Sequence, residues 1–102
     1  MVTSFEDDSQ GPQVFENVWD AIEDDPAIRQ RMKILSSLML EIALLIRRRR
    51  WTQVTAAKRL GVTQPRVSNL LRGKIHLFSI DALVEMAGRA GLRVEITFKS
   101  ES

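Results

Sequence analysis

The sequence predicts an all-helical domain of about five helices closed by one C-terminal β-strand that pairs across a dimer. Three observations carry this expectation. Apolar residues recur at spacings of three and four over much of residues 14–90, the period of a helix with one buried face. Serine or threonine precedes, and glycine follows, the short periodic runs, marking helix starts and stops. After Gly91 the period falls to two, as in a strand with one buried face.

The elements follow in chain order. Residues 1–13 place Ser4, Ser9, Gly11 and Pro12 among acids and hold too few apolar groups to offset ordering entropy, which predicts a disordered acidic tail. Val14, Phe15, Val18, Trp19 and Ile22 then recur at helical spacing, predicting a short amphipathic helix over residues 14–25. Its apolar face either covers the long helix that follows or meets a partner protein. Asp25 before Pro26 is a helix start, because Asp accepts from free amides and proline at the first helical position has no N–H to leave unpaired. From there Ile28, Met32, Leu35, Leu38, Met39, Ile42, Leu45 and Ile46 mark a long helix reaching about Arg49.

Thr52 caps a second helix over Gln53–Leu60, which Gly61 ends; Thr63 caps a third, from Gln64 to about Arg72, which Gly73 ends. Ser79 caps a fourth, with Ile80, Leu83, Val84, Ala87 and Ala90 on its apolar face and Gly91 as its stop. Leu92, Val94, Ile96 and Phe98 then alternate with Arg93, Glu95, Thr97 and Lys99. A lone strand leaves its backbone groups unpaired, and a second copy of the chain is the simplest supplier of a neighbour. Val94, Ile96 and Phe98 are therefore the expected dimerisation residues, and residues 26–99 the expected domain.

Charge divides the chain. The formal net charge is +2, yet residues 1–28 hold eight acids and no Lys or Arg, a charge of −8. All 15 basic residues follow, against five acids, a charge of +10. A basic body suits a polyanion, and an acidic arm suits something else. With no cysteine and His76 as the single histidine, neither a thiolate zinc site nor a cysteine nucleophile can be built, and no acid, base and nucleophile set is evident. No enzyme activity, metal or cofactor is expected. The apolar run over residues 34–46 is broken by Ser36, Ser37 and Glu41, and the start of the chain is acidic, so neither a membrane span nor an export signal is expected and the location should be cytoplasmic.

Two short helices joined by a turn at Gly61 form the arrangement that sets one helix in the DNA major groove. Ala57 is small where the helices cross, Val62 fills the space beneath the turn, and Leu60, Val67 and Leu70 complete a shared core. On a helical wheel of about 100° per residue with Gln64 at zero, Ser68, Arg72, Pro65 and Asn69 fall between roughly 40° and 140°. Leu70, Val67 and Leu71 fall between roughly 240° and 340°, so one face is polar and the other apolar. Gln64 and Asn69 carry the paired donor and acceptor that bond adenine N6 and N7, and Ser68 can bond several base edges. Phosphates should meet Gln53 and Thr63 at helix starts, with Arg72, Lys74, Lys58 and Arg59 adding charge. Arg66, at about 200°, is assigned a phosphate or a structural role. Arg47 to Arg50 serve either a solvated helix end or DNA.

The segments Thr52-Gln53, Ala56-Ala57, Leu60-Gly61-Val62-Thr63-Gln64, Val67-Ser68 and Leu70-Leu71-Arg72-Gly73 resemble the XRE family of lambda-repressor-like helix-turn-helix regulators. Phe78-Ser79-Ile80-Asp81-Ala82-Leu83 and Gly91-Leu92-Arg93-Val94-Glu95-Ile96 resemble its HigA-like antitoxin branch. The resemblance implies a repressor that binds an inverted-repeat operator as a homodimer. It places base contacts at Gln64, Pro65, Ser68 and Asn69 and a phosphate contact at Gln53, with Pro65 departing from the polar residue usual there. In the antitoxin branch it also implies a RelE/HigB-like toxin partner, for which Phe15, Val18, Trp19 and Ile22 are the candidate contacts. A stand-alone phage-type or host repressor without a toxin is the alternative.

Overall fold

The structure, a computed structural model, describes residues 25–100. The expected tail and the amphipathic helix of residues 14–25, apart from Asp25, lie outside the described residues. Among the described residues four α-helices follow one another: α1 (Pro26–Arg48), α2 (Gln53–Leu60), α3 (Gln64–Leu71) and α4 (Ile80–Arg89), with one 3₁₀ turn (Ile75–Leu77) between α3 and α4. The chain divides into two units after Lys33. The described part of the first, residues 25–33, is the opening of α1. Asp25 starts it by accepting the Ala27 amide at its Oδ1, 2.9 Å away, while its carbonyl accepts the Arg29 amide at 2.9 Å.

The second unit, Ile34–Ser102, holds the core. Leu35, Met39, Ile42, Leu45 and Ile46 of α1 are buried, the three-and-four spacing expected of a helix with one inward face. Ala56, Ala57 and Leu60 of α2, Val67 and Leu70 of α3, Phe78, and Leu83, Met86, Ala87 and Ala90 complete the core. Helix α2 packs on both α3 and α4. Its two small residues, Ala56 and Ala57, are what allow helices of only eight residues to approach so closely. On α4 the inward stripe centres on Leu83, Met86, Ala87 and Ala90. Val84, about 100° round the helix from Leu83, sits on its flank and stays partly exposed.

Each short helix is started by a hydroxyl. Thr52 Oγ1 accepts the Thr55 amide at 3.1 Å, Thr63 Oγ1 the Arg66 amide at 3.3 Å, and Ser79 Oγ the Ala82 amide at 3.1 Å. Such caps contribute about 1 kcal/mol each by satisfying amides that have no partner within the helix. At the turn between α2 and α3, Gly61 takes the left-handed conformation (φ 72°, ψ 32°). Arg89 of α4 crosses this turn, its Cδ 2.9 Å from where a Gly61 Cβ would stand.

No strand is present among the described residues. The stretch expected to be a strand, residues 93–99, has no backbone ladder partner in the single chain, and a strand is defined by that partner. Its alternating apolar side chains are left in solvent, with Ile96 72% and Phe98 89% exposed. No helix among the described residues is long and apolar enough to cross a membrane.

Candidate nucleic-acid interface

The α2-turn-α3 unit is built so that its core and its outer surface are carried by alternate sides of α3. Val67 and Leu70 are buried, fixing the rotation of α3 about its axis. That rotation leaves Gln64 and Pro65 exposed in the first turn and Ser68 and Asn69 half-buried in the second. The four residues expected to read bases are therefore brought onto one helix, in consecutive turns. Pro65 lies in the first turn, where it removes no hydrogen bond from the helix.

The expected phosphate contacts are distributed round this surface. Gln53 is the first residue of α2 and Thr63 the cap of α3, both exposed. The first amides of each helix have no intrahelical acceptor, and the helix dipole is positive there, which together favour an anion. Arg72 is the C-terminal cap of α3 and Lys74 lies two residues further on, both exposed. The backbone also ties the end of α3 to this loop, since the Ser68 carbonyl accepts the Arg72 amide at 3.0 Å and the Asn69 carbonyl accepts the Lys74 amide at 3.1 Å.

Arg66 is the site residue whose surroundings sequence reasoning did not foresee. Its Nη1 donates to the Leu77 carbonyl at 3.0 Å, and its guanidinium carbon stands 4.4 Å from the centre of the buried Phe78 ring. The side chain thus joins the first turn of α3 to the segment that follows the 3₁₀ turn. The position of Arg66 at the side of the polar face was the available signal; its partners, eleven and twelve residues along the chain, gave none.

The candidate dimer residues Val94, Ile96 and Phe98 lie apart from this surface in sequence, in the C-terminal stretch, and all three are exposed. The candidate toxin contacts Phe15, Val18, Trp19 and Ile22 lie outside the described residues. No group of three or more His, Cys, Asp or Glu residues is arranged to hold a metal ion among the described residues. Buried side-chain polar atoms lacking a partner are also absent among them.

A capped helix, a left-handed glycine turn and a second capped helix with one polar and one buried face define the helix-turn-helix class. A family model described as a helix-turn-helix domain matches residues 21–99, and the chain belongs to that family. The family is a DNA-binding class, not a class of enzymes. A solved structure described as an XRE-family transcriptional regulator is 31% identical, with a TM-score of 0.65 over 70% of this chain and 80% of its own. The fold is therefore of the XRE type. No curated protein matches the chain.

Proposed function

We propose that the protein is a DNA-binding transcriptional repressor that reads an inverted-repeat operator with α3. The observation that carries this is the rotation of α3 by buried Val67 and Leu70, which turns Gln64, Pro65, Ser68 and Asn69 to one polar side beside two capped helix starts. Gln64 and Asn69 read adenines through their amides, Ser68 a second base edge, and Pro65 packs on thymine methyl groups. Gln53, Thr63, Arg72 and Lys74 hold phosphates and set the register. Arg66 fixes the pitch of α3 from behind. Selection of binding sequences from a random duplex pool, followed by titration of Asn69→Ala, tests this reading. The variant should lose about 1 to 3 kcal/mol on the selected site and little on random DNA. Equal losses on both would refute the assignment of Asn69.

The repressor acts as a homodimer in which the residue 93–99 stretches of two copies pair as strands. The exposure of Ile96 and Phe98 supports this, because pairing covers both the apolar side chains and the open backbone edge. Two reading helices then face successive major grooves roughly 34 Å apart. The −8 charge of residues 1–28 supports a further role as the antitoxin of an operon that it autoregulates, with the acidic arm and Phe15, Val18, Trp19 and Ile22 binding a basic RelE-like toxin. Co-expression with the product of the adjacent reading frame, with and without residues 1–25, tests that role. Capture that survives the deletion argues against the arm as the toxin contact, and no capture at all favours a stand-alone repressor.

A further inference from the structure

The four α-helices among the described residues all end with the same hydrogen bond, from an amide to the carbonyl five residues back. The pairs are Trp51 to Ile46 (3.1 Å), Val62 to Ala57 (3.0 Å), Lys74 to Asn69 (3.1 Å) and Leu92 to Ala87 (2.9 Å). In each case the residue before the donor is left-handed, with φ of 72° at Gly61, 74° at Gly73, 91° at Gly91 and 55° at Arg50. Glycine is the usual occupant because a Cβ is disfavoured there. Three ends follow that rule, and α1 does not. Arg50 is the one non-glycine residue with positive φ among the described residues. To the fold, an exposed arginine held where glycine suits the backbone better offers only the modest attraction of a cation to a helix C-terminus, which Arg47, Arg48 and Arg49 already supply. What it supplies is an outward charge.

The surroundings give that charge company. Arg47, Arg48 and Arg49 are exposed beside it. The half-buried Trp51 ring has the Arg49 guanidinium carbon 5.9 Å from its centre and that of Arg59, from α2, at 5.5 Å. The indole gathers one arginine from the turn after α1 and one from α2 by cation–π attraction. The ion pairs among the described residues, Glu85 with Arg89 and Glu95 with Arg93, involve none of them. Thr52 follows Trp51 directly and caps α2, so this cationic knuckle adjoins the Gln53 helix start expected to meet a phosphate.

We infer that Arg49, Arg50 and Arg59, organised on Trp51, clamp the phosphate backbone of duplex DNA beside the bases read by α3. This rests on the DNA-binding reading above and extends its footprint to a surface without base contacts. The Arg50 backbone strain is the cost of placing a charge at the turn.

The test uses the full chain and a labelled random-sequence duplex of about 30 bp, titrated by fluorescence anisotropy between about 50 and 200 mM salt, with thermal unfolding in parallel. Arg50→Gly should raise Tm, because glycine relieves the left-handed strain, yet weaken binding and lower the slope of log K against log salt by about 0.9. Arg50→Lys keeps the charge and should keep the slope. Arg49→Gln/Arg59→Gln should lower it by about 1.8. Wild-type affinity and slope in Arg50→Gly and in the double variant would overturn the clamp. A lowered Tm in Arg50→Gly would overturn the argument from strain. Wild-type protein without salt-dependent binding would instead overturn the DNA-binding reading itself, so the two failures are distinguishable.

Discussion

Replacing Arg66 with Met keeps an aliphatic stem against Phe78 and removes only the guanidinium. Two interactions go with it. The bond to the Leu77 carbonyl, 3.0 Å long, is partly exposed, and the freed carbonyl can be rehydrated, so its loss should cost about 1 kcal/mol, below the usual range for a charged donor. The stacking over Phe78 at 4.4 Å, against a ring only 6% exposed, adds about 1 kcal/mol. A total of about 2 kcal/mol in a domain of this size corresponds to a fall in Tm of about 10 °C. Thermal unfolding followed by circular dichroism measures it directly. DNA binding, measured well below the transition, should keep its salt slope, since a residue that positions α3 neutralises no phosphate. A Tm within about 2 °C of wild type together with a salt slope reduced by about 0.9 would refute this reasoning and make Arg66 a phosphate contact.

Gly61→Ala should destabilise the protein by about 1 to 2 kcal/mol, seen in urea unfolding, because the left-handed conformation penalises a Cβ. The contact with Arg89 adds little, since Cδ belongs to a flexible, exposed side chain. Thr52→Ala should cost about 1 kcal/mol through loss of the 3.1 Å cap on the Thr55 amide, with faster hydrogen exchange confined to the first turn of α2. Phe98→Asp should leave Tm at low protein concentration unchanged, because Phe98 is 89% exposed in the single chain, while sedimentation shows the loss of dimers. A variant that still sediments as a dimer would remove Phe98 from the interface.

The parts of the fold that were legible in the sequence are those decided by neighbours in the chain. Thr52, Thr63 and Ser79 cap their own helices within three residues, and Gly61 answers a local need for positive φ, so the bounds of α2 and the starts of α3 and α4 could be read directly. What could not be read depends on distant partners or on an exception to a local preference. The 3₁₀ turn over Ile75–Leu77 has no capping side chain to announce it. The contact of Arg66 with Leu77 and Phe78 exists only once α3 and the following segment are folded together. Arg50 takes a conformation that its identity argues against, which is why its place in the same helix-ending motif as three glycines was invisible. On α4, Met86 was missed and Val84 was expected inside, a difference of where the edge of an apolar stripe falls.

The C-terminal stretch brings stability and DNA recognition into one account. Burying Ile96 and Phe98 is worth about 1.5 to 3 kcal/mol for each side chain, so two copies together gain roughly 6 to 12 kcal/mol before backbone pairing is counted. Association costs roughly 4 to 15 kcal/mol. These ranges overlap, so a strand-paired dimer would form or dissociate according to protein concentration instead of being permanent. Each reading helix has only two turns, and its four base-reading candidates cannot specify a long operator alone. If two copies must join to read two half-sites, operator occupancy rises with more than the first power of protein concentration, and residues far from any base govern the response. Apolar side chains left exposed in the single chain would then be what make repression sensitive to the amount of protein.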